Sequence, residues 1–454
     1  MNKQNDLSPY RKRIFAIAIP AIFEALVLTF VTMIDQKMVS ALGTAAISAV
    51  SVTNQPRLFL LCFFTSLQIV LSSLVAVDLG KEDRDHANRL FLTSVLVTLL
   101  AALVLGIGAA LAADPIMELC SGQRDTMESS VIYFRILMLG TPFSTLYAMV
   151  NAGLRGCGKT KVTFYSNLVS CLVNIFFNFL LIEGHWGFPR LGIFGAALAT
   201  VIGFAAALVF STLYLVFSGS FLSLSYCRRS AIRPSTAALR EIAAKWRHTF
   251  LQDILSRAGM LASSALAARI GSYEMAIYSL GMNWMNVNYA FGSGFQTAGM
   301  VLIGKSRGAD CREDADVYTR LIKRIGRIMA FALAVLIVLL AKPYYAAFSD
   351  DAEFVRIGFW VGIVVAVIAP IQISKFAHTG FLLGYGNMKL PMISAVISVT
   401  ALQPVCEYIF IFLCGMGIEG VFLSVLFSQT CWMVTTRIFH RNACRKLSAP
   451  AEKN

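Results

Sequence analysis

Asp35 is a carboxylate inside an otherwise apolar stretch of about residues 14 to 40, and it lies about six residues before that stretch ends. Asn174 and Asn178, four residues apart in the stretch of about 161 to 184, share one helical face, and Asn178 is also about six residues from its end. Two stretches running the same way would put these groups at one depth, roughly 9 Å inside at 1.5 Å per residue. One carboxylate and two amides so placed can offer oxygens to a small cation such as Na+, or a carboxyl that takes up and gives back a proton. That chemistry is ion coupling, and the metal reading of Asp35, Asn174 and Asn178 applies only if the ion is sodium.

An ionisable group at membrane depth costs on the order of 2 to 3 kcal/mol, so each one calls for a partner or a role. Glu24 stands eleven residues before Asp35, three turns down nearly the same face, and extends a polar track. Asp253 and Arg257 are four apart and read as an intrahelical ion pair, with Asp253 also a candidate for substrate. Lys375 shares part of a face with Gln372 and His378, and Glu407 is the expected partner for its charge. Asn283, Asn286 and Asn288 with Met282, Trp284 and Met285 form a polar, polarizable wall suited to a promiscuous cavity or to helix packing. The substrate cavity expected from these residues, with Gln68 and Gln296, comprises Glu24, Gln68, Asp253, Asn283, Trp284, Gln296 and Lys375.

The elements that must hold them are membrane helices. Of 454 residues, 57% are hydrophobic and only 14% charged, against roughly a quarter charged in a soluble domain. Apolar stretches lie at about 14–40, 46–76, 88–113, 127–153, 161–184 and 190–217, and again at about 244–270, 272–303, 317–341, 352–383, 391–415 and 417–440. The reading is an all-α polytopic membrane protein of twelve transmembrane helices in two pseudo-symmetric six-helix lobes. The N-lobe is 14–217 and the C-lobe 244–440, with a connector at 218–243 and short tails at 1–13 and 441–454. Pro20, Pro142, Pro370 and Pro404 fall inside spans and predict bends.

Basic residues alternate along the loops. The N-terminus, 80–89, 154–161, 218–243, 304–327 and the C-terminus are rich in Lys and Arg, whereas 114–127 has only Arg124. The positive-inside rule places both termini in the cytoplasm of a plasma (inner) membrane protein, and it accounts for the net charge of +14 without nucleic acid. The two halves repeat: Gly43 and Gly271, Gln68 and Gln296, Gly80 and Gly308, Arg84 and Arg312, Pro142 and Pro370, Gly156 and Gly384, and Gly158 and Gly386 all differ by 228. Gly192 with Gly417 and Gly195 with Gly420 differ by 225. A parallel repeat predicts two bundles with a solute cavity between them.

Gly153 to Thr160 reads GLRGCGKT, a literal phosphate-loop pattern, but its mechanism needs a strand before it and a soluble helix after it. The second half has only GYGN at Gly384 to Asn387, so the shared element is a glycine turn. Ten scattered cysteines contain no C-x-x-C pair, and no metal or nucleophile motif suggests an enzyme.

The order of these segments resembles the multidrug and toxic compound extrusion (MATE) family over essentially the whole chain. The resemblance is carried by Pro20 and MIDQKMVSALGTAAISAV in the first span, PFSTLYAMVNAGLRGCGKTK after the fourth, NIFFNFLLI in the fifth, GIFGAALATVI in the sixth and FLQDILSRAGMLASSALAARIGS at the start of the second half. It implies a monomeric antiporter whose lobes rock to export organic, often cationic, compounds against H+ or Na+, with no other cofactor. The family's cation site carries over onto Asp35 and Asn174, whereas Asn178 stands where the family usually has aspartate. One carboxylate is a weak anchor for Na+ in a low-dielectric site, which puts proton coupling ahead. The alternative is a lipid-linked saccharide flippase of the same superfamily, a type with fourteen spans and a more basic cavity.

Overall fold

The computed structural model describes residues 7–120, 126–268 and 270–448. Arg124 and the extreme termini therefore lie outside the described residues. Lipid leaves no water to satisfy backbone N–H and C=O groups, so apolar runs of this length close their hydrogen bonds within helices. The first six spans are Ser8–Ser40, Thr44–Lys81, Arg84–Leu111, the bent pair Met127–Leu139 and Thr141–Gly156, Thr160–Ile182 and Gly192–Phe217. The next six are Thr236–Ala268, Ser272–Gly308, Arg312–Ala346, Ala352–Gly384, Lys389–Leu413 and Gly417–Ser448.

Twelve helical spans were expected, and twelve follow one another among the described residues. Nine are single helices long and apolar enough to cross a membrane, or ten with the bent pair taken as one. The seventh and eighth are as long but more polar, carrying Lys245, Arg247, Asp253 and Arg257 on one and Asn283, Asn286 and Asn288 on the other. The first, second, seventh, eighth, ninth and twelfth helices outrun the predicted apolar stretches by a turn or more, because a helix once nucleated continues into its polar flanks.

The chain divides into two compact units. One is Phe23–Trp246; the other joins the described residues up to Ile22 with those from Arg247 onward. The first span is thus shared, and its opening turns pack with the second half. Tyr10 donates to Asp314 Oδ1 at 2.6 Å and Arg13 Nη1 to Tyr318 Oη at 3.2 Å. A side chain at Gly294 would strike Ala18 and Ile22.

The internal repeat is visible in the turns. Glu82 and Asp310 have φ of 58° and 54°, Gly158 and Gly386 of 74° and 72°, and Gly192 and Gly417 of 55° and 56°. Glu82 and Asp310 are not glycines, so the left-handed turn is imposed by the helix–turn–helix geometry around them. The phosphate-loop look-alike is the end of the fourth span, a turn at Gly158 and the start of the fifth, with Thr160 as the first helical residue. Gly156 is required there by packing, since a Cβ would strike Ser72 and Val75.

Prolines act unequally. The fourth span bends by 47° between Leu139 and Thr141, next to Pro142, whereas the tenth runs unbroken through Pro370. Gly140 precedes the first and Ile368 stands at its equivalent, so the bend coincides with a glycine beside the proline. Pro404 lies in the eleventh span between two π-helical segments, Val396–Leu402 and Ile409–Leu413.

Candidate functional site

The first unit contains a cavity of about 230 Å³ walled by the first, second, fourth, fifth and sixth spans. The sixth span positions one wall with small residues. Gly195, Ala196, Ala199, Gly203 and Ala207 are buried or partly buried along it, and a Cβ at Gly203 would strike the Ser170 carbonyl and Asn174. This close approach is what small residues provide where lipid supplies no hydrophobic drive between helices.

Asp35 is half-buried in that cavity. Asn178 Nδ2 donates to Asp35 Oδ1 at 2.8 Å. Asn174 lies against the same oxygen: with its amide turned to satisfy both faces, Nδ2 donates to Asp35 Oδ1 at 2.7 Å and Oδ1 accepts from Thr200. Both asparagines are buried, at 5% and 2% exposure, and Asn178 Oδ1 has no hydrogen-bond partner. The matched depth expected of Asp35 and Asn178 is therefore direct contact. An amide oxygen so placed can accept from a donor or contribute to the coordination of a cation. No group of three His, Cys, Asp or Glu able to hold a metal exists among the described residues, so any ion here would rest on one charge and amide oxygens.

The opposite wall holds a residue that sequence reasoning missed. Arg57, half-buried on the second span, lines the cavity with Tyr133, Tyr147 and Phe204. Its guanidinium lies 5.9 Å from the Phe204 ring centre, and Tyr147 stacks on the same ring at 5.6 Å. The signal was available, since Arg57 interrupts the apolar stretch of 46–76. The cavity thus combines one acid, one permanent cation and aromatic faces.

The second unit repeats the polar pair with different chemistry. Ser263 stands 228 residues after Asp35, and Gln403 stands 225 after Asn178. Gln403 Nε2 donates to Ser263 Oγ at 2.9 Å and to Glu407 Oε1 at 3.1 Å. Glu407 is fully buried, and its Oε2 has no partner. Gly259 lets the backbones of the seventh and eleventh spans meet, because a Cβ there would strike the Val399 carbonyl.

The other predicted residues are dispersed. Glu24 is locked by Arg155 Nη1 at 2.9 Å and Thr163 Oγ1 at 2.8 Å, and it is not among the walls of the Asp35 cavity. Gln68 and Gln296 are half-buried on the second and eighth spans, and Asp253 on the seventh. Asn283 Nδ2 donates to Tyr344 Oη at 3.4 Å and Trp284 meets the same ring edge-on at 5.1 Å, so this pair packs the eighth span on the ninth. The expected pairing of Lys375 with Glu407 is corrected. Lys375 Nζ donates to Gln429 Oε1 at 2.9 Å and lies 3.8 Å from the Trp432 ring centre. The twelfth span, not the eleventh, carries its partners.

Comparison with known proteins follows the same two-part plan. The family model MatE matches residues 20–180 and again 249–409. A probable multidrug resistance protein NorM of Thermotoga maritima is 22% identical over 426 residues, covering 93% of this chain and 90% of the relative. That of Pseudomonas putida is 24% identical, covering 92% of each. Among solved structures, an outward-facing multidrug resistance MATE family transporter of the MOP superfamily superimposes with a TM-score of 0.89 at 18% identity, covering 99% of this chain and 100% of the other.

Proposed function

Because the chain belongs to the MatE family, whose model spans both of its halves, we propose that it is a secondary multidrug efflux transporter exporting organic, often cationic, compounds in exchange for H+ at Asp35. The observation that carries this reading is a half-buried carboxylate held by two amides in a cavity of a membrane lobe. Ionised, Asp35 is stabilised by the amide donors and attracts a cation to a low-dielectric cavity. A proton arriving on it removes that attraction and weakens both hydrogen bonds, so occupancy by proton and by cation oppose each other. Aromatic faces at Tyr147 and Phe204 suit flat organic solutes, while Arg57 disfavours a second positive charge.

Sodium as the coupling ion is the second reading, favoured by the unpartnered Asn178 Oδ1. It is the weaker one, because a single carboxylate facing a cavity that also holds Arg57 leaves Na+ little net attraction. The protein works as a monomer in the plasma membrane, with the basic loops and both termini in the cytoplasm.

Uptake of a fluorescent organic cation into inside-out vesicles, with proton and sodium gradients imposed separately, tests the proposal. A proton gradient alone should drive uptake, and Asp35→Asn should reduce it at least about tenfold, about 1.4 kcal/mol. Uptake driven only by sodium would transfer the role to the second reading. Uptake by neither gradient, with inserted protein and several dyes, would end the proposal.

A further inference from the structure

The second unit holds a cavity of about 510 Å³ that the transport reading does not use. Its walls are the ninth, tenth and twelfth spans, and its polar lining is almost entirely cationic: Arg320, Lys323, Arg324 and Arg327 from the ninth and Arg437 from the twelfth. The four on the ninth follow i, i+3, i+4, i+7 spacing, which gathers them on one helical face. No acid lines the cavity, and none of the five forms an ion pair among the described residues. The inner wall is His378, whose Nδ1 is 3.2 Å from His440 Nδ1, an arrangement in which one ring donates and the other accepts.

Orientation by positive charge alone does not account for this cluster. The equivalent positions of the first half, 228 residues earlier, are Leu92, Val95, Leu96 and Leu99, and Thr212 stands 225 before Arg437. The charges are thus present in one half only, and on a concave wall where like charges repel unless an anion joins them.

The same face continues as an apolar rail. Ile328, Phe331, Val335 and Leu339 follow Arg324 and Arg327 at steps of three and four, and are 62%, 71%, 45% and 69% exposed. A basic recess leading onto an exposed apolar stripe matches an amphiphile with a phosphate head and an acyl tail. We propose that this cavity binds the phosphate headgroup of an anionic phospholipid from the leaflet on the side of the basic loops, with an acyl chain along the rail.

The test uses the full chain in nanodiscs of phosphatidylcholine containing phosphatidylglycerol, with lipids retained after extraction counted by native mass spectrometry. Wild type should retain phosphatidylglycerol over phosphatidylcholine, and Arg324→Gln, Arg327→Gln and Arg437→Gln should each lower that preference about fivefold. Arg228→Gln with Arg229→Gln in the connector should leave it unchanged. The Arg437 variant, on a separate helix, tests the same cavity should a ninth-span change disturb folding, which thermal unfolding monitors. No preference in wild type, or equal loss in the connector variant, overturns the proposal. Full displacement by soluble glycerol phosphate also overturns it, since the occupant would then be a free phosphate.

Discussion

Asp35 with Asn178 and Ser263 with Gln403 occupy equivalent places in the two halves, and each pair is joined by one side-chain amide donating to oxygen. The hydrogen bond is repeated, but the charge is not. In the first half the acid stands on the first span, half-buried in a cavity that also holds Arg57. In the second half that position is a hydroxyl, and the acid appears four residues beyond the amide, at Glu407, fully buried with one oxygen unpartnered. Duplication supplied a polar contact between two helices, and only one copy combines it with a carboxylate open to a cavity. The proposal accordingly places coupling in the first lobe.

The largest effect should come from displacing the acid. With Asp35→Asn as the uncoupled background, adding Ser263→Asp should not restore gradient-driven uptake. Recovery to within about threefold of wild type, under 1 kcal/mol, would mean that the two sites are interchangeable. Asn178→Asp is expected next in size. A second carboxylate beside Asp35 strengthens a sodium site, so sodium-driven uptake should rise about tenfold relative to proton-driven uptake. No change in ion preference would show that Asp35 alone sets it.

Glu407→Gln sharpens the comparison from the other side. The amide keeps the shape, and removing a buried carboxyl with an unpartnered oxygen should leave transport within about twofold and thermal stability equal or higher. Abolished transport would show that the acid moved within the repeat without losing its role. The smallest effect concerns an outer contact confined to the second half. Tyr273 Oη donates to Asp351 Oδ2 at 2.8 Å, and this bond with the Glu353 amide holds the Asp351 carboxyl below its ordinary value. Its contribution is present above the ordinary carboxylate range and is lost as pH falls through the depressed folded value. Asp351→Asn should therefore lower the melting temperature slightly near neutral pH and flatten the acid-side loss, so that the difference from wild type closes as pH falls through the depressed folded value.

What could be read from residues alone follows physical lines. The twelve spans and the turns were legible because hydropathy and glycines act locally, as the paired φ values at Gly158 and Gly386 demonstrate. Asp35 and Asn178 were legible as a pair because depth can be counted from a helix end. Lys375 was assigned the wrong neighbour, since nothing in one chain states which helices touch; Gln429 and Trp432 became its partners through packing of the tenth and twelfth spans. Gln403 escaped notice as the partner of Ser263 for a narrower reason. The repeat offset changes from 228 to 225 between Gly158 and Gly192, so a fixed offset aligns Asn178 with Cys406 and hides Gln403.

The two π-helical segments around Gln403 and Glu407 each fit extra backbone into a turn. Removing one residue from Val396–Leu402 would let that segment relax to an ordinary helix with the side chains beyond it on their present faces, whereas the same deletion in an ordinary helix would rotate them by roughly 100°. Insertions and deletions are normally tolerated in loops and punished in spans; here a span carries its own slack. A lineage that lost one residue there would keep an apolar eleventh helix of nearly the same length, with Gln403 still facing Ser263.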